Sequence, residues 1–131
     1  MKGTSEERFG SFIVFLAGLV IELNQLSEDG WVLLVEGQRD VRAMRSLGYL
    51  GQTVTMSSLV RARTRNLGGL KRVVVMTDLD REGRRLAARV TKELSHEGLE
   101  TSLYQRKRLL ISSKGTFRQI ENLARFAEFM A

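Results

Sequence analysis

The stretch 71–83 reads KRVVVMTDLDREG, and it decides how the chain folds. It begins with a run of β-branched residues, predicted to be a strand over 72–78, and ends on two aspartates, Asp78 and Asp80. A helical pattern follows over 81–98. In an extended chain the side chains at positions i and i+2 point to the same face. Two carboxylates on one face repel each other unless solvent or a cation separates them.

Short apolar segments alternate with helical patterns along the rest of the chain. WVLLVEG (31–37) is apolar without alternation, which is typical of a strand buried on both faces. GQTVTM (51–56) and ETSLYQ (100–105) are further predicted strands, and a final amphipathic helix is predicted over 116–130. This order predicts a three-layer α/β fold with a mainly parallel, four-stranded sheet. Sites in such sheets form at the carboxyl ends of the strands.

The longest apolar run is FIVFLAGLVI, residues 12–21, and it belongs to a predicted N-terminal helix. At ten residues, closed by Glu22, this run is too short to span a bilayer. The helix is apolar over most of its circumference, so it is either deeply buried or shared with a second subunit, in a homodimer or with a partner protein. We predict two units: the N-terminal helix (1–29) and an α/β domain with a C-terminal helix (30–131).

The charge balance indicates a polyanionic partner. The 131 residues carry a net charge of +6, and the excess lies in residues 61–131, with sixteen Lys and Arg against eight Asp and Glu. Such a bias favours nucleic acid over a membrane. The chain has no cysteine and one histidine, which excludes disulfides, thiolate metal sites and zinc sites built on imidazoles. Lack of cysteine is compatible with a reducing compartment, and we expect a cytoplasmic protein.

The acidic residues at the predicted strand ends suit a hard cation. If the strands ending at Glu36 and Asp78 are neighbours, Glu36 joins Asp78 and Asp80 at one edge of the sheet. Mg²⁺, with Mn²⁺ as an alternative, prefers such oxygen ligands and keeps several waters. Glu82 could add a water-mediated contact, or it could simply favour the positive end of the helix dipole. Backbone can approach this edge closely at two glycines, Gly37 and Gly83.

Two motifs carry a family resemblance. LLVEG (33–37), followed by VVVMTDLDREG (73–83), resembles the Toprim domain of type IA and type II topoisomerases, bacterial primases, OLD-type nucleases and the small ribonuclease that matures 5S ribosomal RNA. The similarity covers residues 31–105. DLDREG is close to the D-P-D-R-E-G of type IA topoisomerases, with Leu79 in place of proline, and VEGQRD is nearer to the V-E-G-x-x-D of the primase and maturase branches. The resemblance implies a Rossmann-like Toprim fold and, among its relatives, the small stand-alone Toprim proteins.

The resemblance also implies roles for the acids. Glu36 matches the family glutamate proposed as general acid or base, and Asp78 and Asp80 match the metal-binding pair. Glu82 matches a third acid that only some branches have. Asp40 matches the second acid of E-G-x-x-D and is a candidate accessory acid, although an acidic residue here also suits the start of a helix.

Basic residues occur around the acids and in two clusters. They would bind phosphates in a salt-sensitive and largely sequence-independent way. Few aromatic residues accompany them, so structured, double-stranded RNA fits better than stacked single-stranded bases. The candidate nucleic-acid ligands are Arg61, Arg63, Arg65, Arg81, Arg84, Arg85, Arg106, Lys107 and Arg108.

The size of the chain restricts the chemistry. A topoisomerase needs a tyrosine nucleophile on a further domain, and a replicative primase needs domains that 131 residues cannot supply. Two functions remain open. One is Mg²⁺-dependent phosphodiester cleavage of structured RNA, in ribosomal RNA maturation. The other is a non-catalytic Toprim module that binds RNA or a ribonucleoprotein partner. RNA is favoured over DNA in both.

Overall fold

The computed structural model describes residues 5–63 and 69–130, and its central feature is a parallel sheet. The four strands are β1 (Trp31–Val35), β2 (Thr53–Thr55), β3 (Arg72–Val75) and β4 (Glu100–Ser102). They lie in the order β2-β1-β3-β4, and every pair is parallel. In the register, Trp31 is opposite Arg72 and Arg72 is opposite Glu100. The predicted α/β class and four-stranded sheet are confirmed, and the strands are shorter than their apolar runs.

Within residues 5–63 and 69–130, the sheet is surrounded by five α-helices and by a C-terminal 3₁₀ helix. The α-helices are α1 (Ser5–Glu28), α2 (Gln38–Ser46), α3 (Met56–Arg63), α4 (Arg81–His96) and α5 (Tyr104–Ser113). The C-terminal 3₁₀ helix is Ile120–Phe129, so the helix predicted from residue 116 begins four positions later and is more tightly wound.

The sheet has a separate hydrophobic core on each face, which is the predicted three-layer arrangement. Along β1, Leu33 and Val35 face one core and Leu34 faces the other. The first core is built with α1, α2, α5 and the C-terminal 3₁₀ helix, and the second with α3 and α4. Successive side chains of a strand alternate between faces, so a continuous apolar run fills both cores.

Helix α1 is a core helix on one side and exposed on the other. Leu16, Leu19 and Leu23 are buried against the sheet in the first core, whereas Val14 is 74% and Ile21 60% exposed. Within the described residues, Glu7–Glu28 is also the one helix long and apolar enough to cross a membrane, with a mean hydropathy of 1.7. That corrects the expectation drawn from the ten-residue run, because one glutamate interrupts the run without ending the helix. Self-association through α1 stays a prediction.

Helix α5 was not foreseen. The predicted fourth strand over 100–105 ends at Ser102, and the basic segment behind it is helical. The Ser102 hydroxyl donates to Gln105 Oε1 at 2.7 Å and accepts from the Tyr104 amide at 3.4 Å, so it bonds forward into the first turn. A serine before a helix commonly satisfies amides in this way. The consequence is that the basic residues 106–108 point in different directions around a helix.

Candidate metal and nucleic-acid site

Pairing of β1 with β3 brings the predicted acids to one edge of the sheet. Glu36 follows the last residue of β1, and its Oε2 accepts a hydrogen bond from the Asp78 amide at 2.7 Å. Strand β3 ends at Val75, so Asp78 lies in the segment between the strand and α4. The two strands are neighbours, as the site required, but the strand geometry that was to align Asp78 with Asp80 stops earlier than predicted.

Asp78 is held by a distant part of the chain. Its Oδ1 accepts from the Ile120 amide at 2.9 Å, and the neighbouring Leu79 amide donates to the Arg118 carbonyl at 2.6 Å. The segment before the 3₁₀ helix therefore closes one side of the site. Sequence reasoning gave this segment no role beyond packing, and no local pattern in 116–121 signals it, because the partners are backbone groups.

Asp80 starts α4. Its Oδ1 accepts from the Gly83 amide at 2.7 Å, which is an N-terminal capping bond. The Thr77 hydroxyl donates to the Gly83 carbonyl at 2.7 Å, so the first turn of α4 is tied back to the end of β3. A Cβ on Gly83 would overlap the Asp78 carbonyl oxygen. Glycine is the residue that permits this close approach.

The other predicted glycine is in a different environment. A Cβ on Gly37 would meet no heavy atom within 4 Å. Its amide donates to Asp40 Oδ2 at 3.1 Å, and Asp40 is buried at the start of α2. Asp40 thus makes the hydrogen bond expected of an acid in the first turn of a helix, while its accessory role in chemistry stays a prediction.

Arg106 supports the acidic segment from α5. Its side chain is only 7% exposed. Nε donates to the Thr77 carbonyl at 3.2 Å and Nη2 to the Asp78 carbonyl at 2.6 Å. Burial lowers the pKa of the guanidinium, and the nearby carboxylates of Asp80 and Glu36 act in the opposite direction. The two hydrogen bonds fix the backbone that carries the acids, so the structure places this predicted phosphate ligand inside the site.

The acids at the sheet edge hold their protons more tightly than free carboxyls. Burial is the largest cause and raises the pKa of Glu36, of Asp40 and of Asp78. Repulsion adds to it, from Asp78 on Glu36 and from Asp80 on Asp78. A bound cation would reverse this effect, because it favours the charged form of each carboxyl.

The donor set suits a cation held by two carboxylates and water. Asp78 and Asp80 each accept one hydrogen bond from a backbone amide through Oδ1, and the side chains of Asp78 and Glu36 also interact. Mg²⁺ commonly binds through one or two carboxylates and several waters. Over residues 5–63 and 69–130, no three acids are gathered closely enough to form a metal site by themselves. Glu82 is exposed and pairs with Arg85 at 3.0 Å, which leaves it on the surface of α4.

The predicted nucleic-acid ligands divide into groups. Arg81, Arg84 and Lys107 are exposed on the helices beside the acids. Arg108 forms an ion pair with Glu22, with 2.7 Å between its Nη1 and Glu22 Oε1. Arg61 is exposed and donates to Ser58 Oγ at 3.2 Å. Arg65 and the side chain of Arg63 lie outside the described residues.

Comparisons with known proteins place the chain among Toprim proteins. The family model described as "Toprim domain" matches residues 31–114. A UPF0292 protein of Methanocaldococcus jannaschii is 31% identical over 113 residues, covering 79% of this chain and 84% of its own. A UPF0292 protein of Archaeoglobus fulgidus is 27% identical over 107 residues, covering 82% and 85%.

One solved structure agrees with this placement. A protein from Aquifex aeolicus superimposes with a TM-score of 0.68 at 25% identity, covering 82% of this chain and 96% of its own. Toprim domains typically bind Mg²⁺, and the domain indicates a metal-dependent function concerned with nucleic acid. With residues 31–114 matched and the acids assembled at the sheet edge, the chain belongs to the Toprim domain family and is similar to its UPF0292 proteins.

Proposed function

We propose that the protein cleaves phosphodiester bonds of structured RNA in a Mg²⁺-dependent reaction, in ribosomal RNA maturation. The observation that carries the proposal is the contact between Glu36 and the Asp78 backbone. It sets Glu36, a carboxyl whose pKa is raised by burial, beside the two aspartates that would hold the ion. A nuclease needs this combination, because a proton must move while charge on the phosphate is neutralised.

Each residue would have a separate task. Asp78 and Asp80 would hold Mg²⁺, which when bound supplies a positive charge for the phosphoryl oxygens. Glu36, whose pKa is raised by burial, would carry the proton. Arg81 and Lys107, exposed on neighbouring helices, would bind flanking phosphates. Glu82 would act through water if at all, because it is paired with Arg85 on the surface.

A binding module without catalysis is the second candidate. One observation favours it: among the described residues the acids do not form a three-carboxylate group, and backbone amides already engage Asp78 and Asp80. Such an edge would hold one hydrated ion that grips a phosphate. RNA, or a ribonucleoprotein particle, would then be bound and released unchanged.

A cleavage assay separates the two candidates. Structured RNAs are incubated with Mg²⁺ and the wild type, Glu36→Gln, Asp78→Asn or Glu28→Gln. Glu28 is an exposed acid at the end of α1, ahead of β1 and so near the opposite edge of the sheet. Cleavage is expected from the wild type and Glu28→Gln, with losses of about 100-fold or more in the other two. Full activity in Glu36→Gln would refute its proton-carrying role. RNA binding without cleavage by the wild type would favour the binding module.

A further inference from the structure

A cavity of about 490 Å³ lies between α4 and α5. Its walls are apolar and come from small or aliphatic residues, chiefly Ala87, Ala88, Leu103 and Leu110. Pockets that bind small organic groups have volumes of about 300–1,000 Å³ and similar walls. The cavity is therefore of a size and character to receive one small organic group.

An aromatic ring and two exposed cations border the cavity. Tyr104 lines it and is 62% exposed. Arg84 from α4 and Lys107 from α5 also line it, and both are exposed. An apolar slot with a basic rim is complementary to a ligand that joins a flat, uncharged ring system to a negative charge. A nucleotide is such a ligand, because its base is planar and its phosphate is an anion.

One residue belongs to both the cavity and the acidic edge. Arg106 lines the cavity, and its guanidinium donates to the Asp78 carbonyl at 2.6 Å. One side chain therefore contacts both the cavity and the backbone that carries Asp78. A polynucleotide with one phosphate at the acids could place a neighbouring base in the cavity. A base inside a duplex cannot enter it, so the base has to be unpaired or turned out of the helix.

We propose that the cavity between α4 and α5 receives one unpaired nucleobase of a structured RNA whose adjoining phosphate is bound by Arg84 and Lys107. The proposal rests on the proposed function, because it takes RNA as the ligand of the acidic edge. It adds a substrate feature: a bulged or looped nucleotide next to the bound phosphate. A base in the cavity would fix the register of an RNA otherwise held through its backbone.

Binding of three matched RNA hairpins tests the proposal. One carries a single bulged 2-aminopurine, the second an abasic residue at the bulge, and the third is fully paired. Affinities are measured in EDTA, so that cleavage does not interfere. Stacking and burial of the base should make the bulged RNA bind about 5- to 100-fold tighter than the abasic RNA. The fluorescence of 2-aminopurine should change on binding.

A variant that fills the cavity provides the control for location. Ala88 is exposed on α4, so Ala88→Phe should fold and block the cavity. It should bind the bulged and abasic RNAs equally, with the wild-type salt dependence. Ser95→Phe places the same ring at an exposed position of α4 outside the cavity and should behave as the wild type. Thermal unfolding of both variants verifies that they are folded.

The outcomes distinguish this proposal from the proposed function. Equal affinity of the wild type for the bulged and abasic RNAs would overturn the proposed base site, but it would not count against the proposed cleavage activity. Unchanged base preference in Ala88→Phe would also overturn it, since the base would then bind elsewhere. Base-dependent binding without Mg²⁺-dependent cleavage would support the base site and count against the nuclease. If none of the RNAs binds, the base site is refuted, while the proposed function is judged by the cleavage assay with Mg²⁺.

Discussion

Arg106 is expected to hold the acidic segment in place, and replacing it should destabilise the protein measurably. The side chain is 7% exposed and donates to two backbone carbonyls, those of Thr77 and Asp78. Thr77 is 0% exposed, so no water can replace the lost donor at that carbonyl without rearrangement. Arg106→Met preserves much of the aliphatic stem while removing both bonds.

The size of the effect follows from the two bonds. A hydrogen bond from a charged donor contributes about 1.5–3 kcal/mol, and a buried carbonyl left without a donor costs about 1–3 kcal/mol. Removing a buried charge offsets part of this loss. We therefore expect the free energy of unfolding of Arg106→Met to fall by about 2–4 kcal/mol. Most domains have about 5–15 kcal/mol in total, so the variant should still fold.

Urea unfolding, monitored by the fluorescence of Trp31, the single tryptophan, measures this free energy. Arg106→Lys is the matched control, because it keeps the charge but not the two-pronged geometry. It should recover only part of the lost stability. The positive charge of Arg106 can also be tested through the pKa values of Glu36 and Asp78, which lie near it. Losing this cation should raise the pKa of both carboxyls in Arg106→Met but much less in Arg106→Lys. A loss of stability below about 0.5 kcal/mol in Arg106→Met would refute the reasoning.

Three further predictions concern the same edge of the sheet. Gly83→Ala should lower the free energy of unfolding by about 2–4 kcal/mol, because its Cβ would overlap the Asp78 carbonyl. Gly18→Ala in α1 is the control: a Cβ there meets nothing within 4 Å, so the free energy of unfolding should rise by about 0.5–1 kcal/mol. The pKa of Asp78 is raised in the folded state, so the stability gained from its protonation is present at low pH and lost as pH rises through that pKa. Asp78→Asn keeps the acceptor for the Ile120 amide, and its stability relative to the wild type should therefore increase with pH in unfolding experiments between pH 3 and 8. Added Mg²⁺ should raise the melting temperature of the wild type in differential scanning fluorimetry. At a Mg²⁺ concentration 100 times the Kd of the ion, the rise should correspond to about 2.7 kcal/mol of stabilisation. The double variant Asp78→Asn, Asp80→Asn should show no such rise.

The sequence predicted the parallel sheet, because continuous apolar strands alternate with helical patterns. It predicted the meeting of Glu36 with Asp78 only if their strands are neighbours, and the structure shows that β1 and β3 are. The roles of Arg106 and Ile120 could not be predicted. Arg106 is one of three consecutive basic residues, and only the packing of α5 decides that this one points inward. The bond from Ile120 to Asp78 joins positions 42 apart through a backbone amide that any residue would supply.

Glu82 and α1 show how local patterns can be read in two ways. The spacing of Glu82 from Arg85 is that of an ion pair on one helix face, and the structure forms that pair at 3.0 Å. The same glutamate fits a metal-binding motif, and spacing alone does not separate the two interpretations. In α1 a single charge interrupts the apolar run, but helices continue through isolated charges when the rest of the face is packed.

The hydrogen bond between the Ile120 amide and Asp78 has a consequence for folding during synthesis on the ribosome. When Asp78 is added to the growing chain, the amide that will hold its carboxylate is still 42 residues from being synthesised. At about 5–20 residues per second, this interval lasts about 2–8 s. The acidic edge therefore cannot reach its final form on a nascent chain until α4, β4 and α5 have been made. Asp78 is thus part of the growing chain for several seconds before the amide that fixes its carboxylate exists.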